Sequence, residues 1–286
     1  AGPLPIIKVF NTSIMVFICI KNKVYLLVVS SFYNRFFINL SMISFLRFSI
    51  IFFLLLACQK PMIVTAEEII EKSMLSYGFG YGKYKINFDF REYHYQLEQN
   101  QGHYLYSRQK ISKNKKIFDI MTSDEKLKRF ENDILVFLED SIQNVYSNSL
   151  NSVIYFFQLP KPLQDRAVNS ILLNPIEIEG NEYWTLGITF DQDGGGNDFQ
   201  DEFRYWVNKE NYHIDYLAYN YLTDGGGTRF RKAKNLRKIK GFLFQDYINY
   251  KPQVKISSLD SLPHLFEKDS LEILSIIENK NIKVEF

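Results

Sequence analysis

The residues most suggestive of chemistry are five acids that surround a run of three glycines between residues 191 and 202. They are Asp191, Asp193, Asp198, Asp201 and Glu202. Carboxylate oxygens are preferred calcium ligands, and acids at loop positions 1, 3 and 12 with glycine at position 6 match an EF-hand loop. An EF-hand is excluded, because Gly195 takes position 5 and strands are predicted on both sides. Two predictions remain open, a calcium site in a loop between strands or a glycine-rich hairpin with solvated acids, and a second glycine run at 225–227 favours the hairpin.

Cys58 is the other candidate for chemistry, because of the sequence that precedes it. Residues 42–47 contain one basic residue, Arg47, and an apolar segment at 48–56 is followed by Ala57 and Cys58. This layout predicts a secretory signal peptide over residues 42–57. A transmembrane helix is excluded, because about ten apolar residues at about 1.5 Å each cannot cross roughly 30 Å of hydrocarbon.

The ending Leu55-Leu56-Ala57-Cys58 resembles the lipobox of bacterial lipoproteins. The resemblance implies that Cys58 is lipidated and becomes the first residue of the mature protein, since a thiolate is well suited to form a thioether. By the same resemblance, Gln59 implies the outer membrane rather than the inner one. Residues 58–64 are then a linker. Residues 1–41 are an upstream extension or an artefact, or alternatively one further hydrophobic segment.

The charge distribution excludes a nucleic-acid-binding protein. The formal net charge is +2, but residues 1–57 contain five basic and no acidic residues. Residues 58–286 therefore contain 29 basic and 32 acidic residues, which leaves no basic excess to neutralise phosphates. The two cysteines, Cys19 and Cys58, are too few for a disulfide framework or a cysteine-rich zinc site.

The mature part predicts a single α+β domain over residues 65–286. A helix is expected over residues 65–77, because Thr65 and Glu68 match a capping box and Gly78 is a helix terminator. Two further helices are expected over residues 140–159 and 164–173.

Strands are expected over most of the remainder, and Tyr84–Leu97 is expected as one strand. They follow one another through short loops, which predicts a large antiparallel sheet and argues against a (β/α)₈ barrel. Tyr205 and Trp206 would face opposite sides, and a sheet with aromatics on both faces either is packed on both sides or lines a cavity. Arg229 and Arg231 share one strand face, which is either solvated or in contact with an anionic head group.

Three parts of the sequence carry a resemblance to a known family. They are Phe88–Arg91, Tyr146–Val153, and the pair Phe190–Gly196 and Asp224–Arg231. Together they resemble an uncharacterised family of bacterial lipoproteins, over nearly all of residues 58–286. That family is similar in architecture to the LolA/LolB-like fold, which implies a large curved antiparallel sheet, an open half-barrel, with two or three helices on its concave face. LolA-like proteins bind acyl chains in that concavity, so the resemblance implies a lipid or other apolar ligand.

The ligand-binding residues expected from this resemblance are apolar or aromatic and lie on strands and on the central helix. They are Phe88, Phe90, Tyr146, Val153, Phe157, Phe203 and Tyr205. The central helix is either part of the core or a movable wall of the cavity. Such sequences sometimes carry the label deoxyribose-phosphate aldolase, which is excluded here, because that enzyme needs a (β/α)₈ barrel with a buried Schiff-base lysine.

The sequence therefore favours a monomeric lipoprotein that is anchored in the outer membrane, faces the periplasm and binds a lipid or other apolar ligand. No nucleic acid partner is expected, and no cofactor other than the calcium considered above. Two alternatives stay open. One is an enzyme of unknown reaction with its site in residues 191–202, and the other is a structural envelope protein whose own side chains fill the cavity.

Overall fold

The structure, a computed structural model, describes two separate parts of the chain. Its described residues are 64–80, 82–193, 200–222 and 225–286, together with the backbone of 8–10, 13–20 and 23–30. The chain divides into two units, Ala1–Met62 and Ile63–Phe286. The predicted signal peptide and Cys58 lie outside the described residues.

The first unit contains a three-stranded antiparallel sheet. Its strands are β1 (Lys8–Phe10), β2 (Ser13–Ile20) and β3 (Lys23–Ser30). They pair in sequence order, β1 with β2 and β2 with β3, so this part of the predicted extension forms two successive hairpins.

The second unit contains two seven-stranded antiparallel sheets. The strands of its first sheet are β4 (Lys83–Phe90), β5 (Tyr93–Asn100), β6 (His103–Ser112), β7 (Lys115–Thr122), β8 (Lys128–Glu131), β9 (Ile134–Val136) and β17 (Lys280–Glu285). In space their order is β17-β4-β5-β6-β7-β8-β9. The final strand, β17, returns to pair with β4, so two distant parts of the chain complete this sheet.

The strands of the second sheet follow one another in sequence order, and among the described residues only the connection between the last two contains an α-helix. These strands are β10 (Val168–Ile178), β11 (Asn181–Phe190), β12 (Glu202–Asn208), β13 (Ile214–Tyr221), β14 (Gly227–Ile239), β15 (Phe242–Pro252) and β16 (Leu271–Ile277). Neither sheet closes into a barrel, since the outer strands of each are not paired to one another. The expected α+β class with large antiparallel sheets is confirmed.

Three α-helices are present among the described residues of the second unit. They are α1 (Ala66–Tyr77), α2 (Asp140–Phe157) and α3 (Leu262–Glu267), and two 3₁₀ turns, Lys161–Gln164 and Leu259–Ser261, accompany them. Helices α1 and α2 share one hydrophobic core with residues of both sheets, whereas α3 packs on a second core at the other face of the second sheet. That sheet is therefore covered on both faces, as its two-sided aromatic pattern allows. Within the described residues, no helix combines the length and the apolarity that crossing a bilayer requires.

Two local predictions are wrong. Tyr84–Leu97 is a hairpin and not one strand, because Arg91 adopts a left-handed φ of 53° and turns the chain between β4 and β5. The expected helix over 164–173 is instead the start of β10, whose backbone pairs with β11 from Val168 onward. Pairing with the next strand satisfies the same backbone groups that a helix would, and here it prevails over the local apolar spacing.

Tyr77 connects the end of α1 to the second sheet through its buried hydroxyl. The hydroxyl donates to Gln245 Oε1 at 2.7 Å and accepts from the backbone N–H of Ile214 at 3.0 Å. Burial raises the pKa of Tyr77 well above its usual value, so the phenol stays neutral. Tyr84 is buried to a similar degree, but its hydroxyl has no partner among the described residues.

We expect Tyr77→Phe to lower the free energy of unfolding by about 1–3 kcal/mol, because the Ile214 N–H then stays buried without an acceptor. Tyr84→Phe is the matched control. It also removes a buried hydroxyl, but no partner loses a bond, so the stability should stay the same or rise. Urea unfolding of both variants measures the difference, and equal losses would contradict the assignment.

Candidate functional site

Two of the predicted calcium ligands are paired with side chains of the second sheet. Asp191 accepts a hydrogen bond from Asn169 Nδ2 at 2.7 Å. Glu202 forms an ion pair with Arg204 at 2.8 Å. Both carboxylates thus have interactions within the sheet.

The remaining acids of the loop do not form a site within the described residues. Asp193 is exposed, Asp201 is buried, and Asp198 lies outside the described residues. No group of three or more histidine, cysteine, aspartate or glutamate side chains suited to a metal ion is found in the described part of the chain. The calcium site therefore stays a prediction.

The structure brings four of the seven predicted ligand-binding residues into two stacked pairs. The rings of Phe88 and Phe157 are nearly parallel with centroids 3.7 Å apart, which joins β4 to α2. The rings of Phe203 and Tyr205 stack at 6.0 Å along β12. All four side chains are buried.

The other three predicted residues lie apart from these pairs. Phe90 and Val153 are partly buried at the margin of the core, and Tyr146 lies under the guanidinium of Arg129. A cleft of about 350 Å³ opens beside the start of α2, and another of about 480 Å³ opens near the β14–β15 turn. Neither cleft is lined by a predicted ligand-binding residue. In this structure those seven side chains pack against other side chains and line neither cleft.

Around Phe203 lies a larger aromatic group, here named the aromatic cluster. Its members are Tyr155, Phe156, Phe190, Phe203 and Tyr219, and neighbouring ring centroids lie 5.2–6.5 Å apart. Phe203 is buried, while the other four are partly exposed. The cluster therefore extends from the core to the surface, between the C-terminal end of α2 and the second sheet.

Below the cluster, Tyr155 and Tyr205 share a hydrogen bond between their hydroxyls at 2.8 Å. Burial raises the pKa of both phenols, so neither ionises near neutral pH. The cluster thus offers neutral, mostly apolar surface with two hydroxyls at its base, which is suited to contact with an apolar chain.

The N-terminal half of α2 is held by a buried ionic group, here named the Arg–Asp–Arg cluster. Asp119 accepts from Arg108 Nε at 2.8 Å, from Arg129 Nε at 2.7 Å and from Arg129 Nη2 at 2.8 Å. Arg108 Nη1 also donates to Ser149 Oγ of α2 at 2.9 Å. The guanidinium of Arg129 lies 3.5 Å from the ring centroid of Tyr146, also on α2.

The electrostatics of this cluster suit a structural anchor. Burial disfavours the charge on Arg129, but hydrogen bonding and attraction to Asp119 outweigh it and raise the pKa of the guanidinium. Asp119 is completely buried and both arginines are nearly so. Both guanidinium groups share the Asp119 carboxylate and contact α2, so the cluster fixes α2 on the first sheet.

Sequence reasoning missed the Arg–Asp–Arg cluster, and of the aromatic cluster it predicted only Phe203. Arg108 faces Asp119 across β6 and β7, and Asp119 faces Arg129 across β7 and β8, but these pairs appear only once the strand register is known. Tyr155 and Phe156 belong to an apolar run in which helical spacing does not single out a binding face.

Comparisons with solved structures find distant likenesses. A LolA superfamily protein from Nitrosomonas europaea is 15% identical over 78% of this chain and 94% of its own, with a TM-score of 0.47. A DUF1329 family protein from Desulfovibrio piger is 9% identical over 76% and 92%, with a TM-score of 0.39. A domain described as an outer membrane lipoprotein-sorting protein, from Vibrio parahaemolyticus, is 6% identical over 77% and 93%, with a TM-score of 0.38. At these identities and TM-scores the likenesses carry no functional argument.

No curated protein matches the sequence. A family model described as a family of unknown function, DUF6503, matches residues 46–279, which is most of the chain and nearly all of the second unit. The expectation of an uncharacterised family is confirmed. The chain belongs to the DUF6503 family of unknown function.

Proposed function

We propose that this protein is an envelope lipoprotein, tethered through Cys58, that binds an apolar chain between helix α2 and the second sheet. The aromatic cluster carries the proposal, because it gives a continuous apolar surface from the buried Phe203 to partly exposed rings. The anchor and its outer-membrane location rest on the lipobox and on Gln59.

In this function, the part of α2 that follows Ser149 moves, because the Arg–Asp–Arg cluster holds the helix at Tyr146 and Ser149. Three of its 18 residues are buried, compared with six of the 12 residues of α1. An element with few buried contacts opens at low cost in free energy, and local opening of this kind admits ligands. The rings that fill the interior would then be replaced by the apolar chain of the ligand as this part of α2 is displaced.

The test is native mass spectrometry of the full chain, purified from a bacterial envelope in non-ionic detergent. We expect additional non-covalent mass from a lipid or fatty acid, and organic extraction should remove it. Phe190→Ser should weaken retention of that ligand about tenfold, because a partly buried ring at the rim of the aromatic cluster is lost.

Phe137→Ser is the matched control. Phe137 is 93% exposed and does not belong to the aromatic cluster, so its loss should leave retention unchanged. A bare polypeptide mass, or equal effects of the two substitutions, would contradict the proposal. The bare mass would support instead a structural lipoprotein whose own side chains fill the core.

A further inference from the structure

Among the described residues, Arg231 differs from the other two buried arginines, Arg108 and Arg129, in its charge environment. Arg108, Arg129, Arg204 and Arg237 each lie within 3.0 Å of a carboxylate. Arg231 is 8% exposed and belongs to none of the ion pairs among the described residues. A buried guanidinium normally has a carboxylate or phosphate partner, because burial of an uncompensated charge is costly.

The guanidinium of Arg231 lies against the aromatic cluster. Its central carbon is 3.8 Å from the ring centroid of Phe156 and 5.2 Å from that of Tyr219. The Nη2 group donates to the hydroxyl of Tyr219 at 2.7 Å. The rings offset part of the charge through their faces, but they leave in-plane N–H groups in need of acceptors.

Two polar atoms at this position have no partner among the described residues. One is Nε of Arg231, and the other is Oδ1 of Asn249, which stands directly opposite Arg231 in the β14–β15 register. The amide nitrogen of Asn249 donates to Ser275 Oγ at 3.2 Å, so the side chain is held with its oxygen unpaired. Buried polar groups are nearly always paired in native proteins, and a donor and an acceptor left unpaired on adjacent strands mark a place for a polar ligand.

We propose that Arg231 binds the oxyanion head group of an amphiphile whose apolar tail lies along the aromatic cluster. The inference rests on the proposed function and names its ligand class. The Nε and Nη edge of a guanidinium binds a carboxylate or a phosphate through two parallel hydrogen bonds. A singly protonated phosphate keeps a hydroxyl that Asn249 Oδ1 accepts from, whereas a carboxylate uses the arginine alone. A fatty acid and a phosphate-bearing lipid both supply the oxyanion, and free phosphate supplies it without a tail.

The experiment uses the full chain in non-ionic detergent and measures binding by native mass spectrometry with four probes. They are palmitate, hexadecyl phosphate, hexadecanol and inorganic phosphate. We expect palmitate or hexadecyl phosphate to bind at least about tenfold more tightly than hexadecanol, since a charge-assisted pair of hydrogen bonds is added. The tighter of the two acids identifies the source of the head group, and inorganic phosphate alone should not bind.

Arg231→Met should abolish the preference for the acids while hexadecanol binds as before. Arg229→Met is the matched control, because Arg229 lies on the same strand face two residues away, is partly exposed and donates to Tyr221 and to the backbone. The Arg229→Met variant should keep the preference for the acids. Arg231→Lys keeps the positive charge and should retain part of that preference.

The outcomes separate the head-group inference from the proposed function. Equal binding of acids and hexadecanol, unchanged in Arg231→Met, would overturn the head-group inference and leave apolar binding intact. Binding of inorganic phosphate as tight as that of hexadecyl phosphate would overturn the role of the tail. Failure of every probe would overturn both.

A stability measurement on the empty protein distinguishes a binding residue from a structural one. Arg231→Met should raise the midpoint of thermal unfolding by about 2–4 °C, because an uncompensated buried charge is removed. A fall of the same size would show that Arg231 stabilises the empty protein, and this would contradict the inference.

Discussion

Replacing Asp119 with asparagine is expected to lower the free energy of unfolding by about 3–5 kcal/mol. The substitution keeps the shape of the side chain but removes the charge that two buried guanidinium groups share at 2.7–2.8 Å. Arg108 and Arg129 would then remain in the interior without a counter-charge. Because Arg108 also holds Ser149, the N-terminal half of α2 should loosen as well.

Urea unfolding measures the loss, and Asp133→Asn provides the control. Asp133 is an exposed aspartate that pairs with Lys116 at 2.8 Å on the surface, so its change should cost at most about 1 kcal/mol. The triple variant Arg108→Met, Asp119→Leu, Arg129→Met should recover much of the stability, since apolar residues of similar size can replace a buried ion group. A loss below about 1 kcal/mol for Asp119→Asn would contradict the buried arrangement.

The second large effect is expected at Gly78, the residue that ends α1. Gly78 has a φ of 78°, and its N–H donates to Leu75 O while the N–H of Phe79 donates to Met74 O. This is the Schellman arrangement, which needs a left-handed residue at that position. A Cβ at Gly78 would overlap the backbone oxygen of Gly241, a contact that the backbone must move to avoid.

We therefore expect Gly78→Ala to destabilise the domain by roughly 2–5 kcal/mol, from left-handed strain together with overpacking. Gly180→Ala isolates the strain, because Gly180 has a φ of 77° but a Cβ added there would meet nothing within 4 Å. It should cost about 1–2 kcal/mol. Thermal and urea unfolding of both variants compare the cost of strain alone with the cost of strain and overlap together. Equal losses of stability would show that the close approach of α1 to the β14–β15 turn is absent.

These two contacts hold different helices on different sheets. Gly78 sets α1 against the second sheet, and Phe79 continues the contact by packing on Phe242 with ring centroids 5.2 Å apart. The Arg–Asp–Arg cluster fixes α2 against the first sheet near its middle, at Tyr146 and Ser149. The C-terminal end of α2 meets the aromatic cluster, so the proposed ligand site lies beyond the ionic contacts of the helix.

Local patterns in the sequence were sufficient for much of the architecture. Helix α1 begins after Thr65 and ends before Gly78, as predicted, because a cap and a left-handed terminator act on neighbouring backbone groups. Thr65 Oγ1 accepts from the N–H of Glu68 at 3.3 Å. Helix α2 and the antiparallel strands likewise follow from apolar spacing and short connections. The lipid anchor at Cys58 stays a prediction from the sequence.

Other features were decided only by contacts between residues far apart in the chain. The strands form two sheets instead of one, and β17 pairs with β4, which no local pattern predicts. Residues 168–173 have helical apolar spacing but form a strand, because pairing with β11 satisfies their backbone. In the sequence, Asp119 is an ordinary charge on a strand, and Arg231 lies with Arg229 on a strand face that is either solvated or in contact with an anionic head group. Register and packing place Asp119 between two arginines and leave Arg231 buried without a carboxylate, because burial and charge compensation depend on which strands and helices lie alongside.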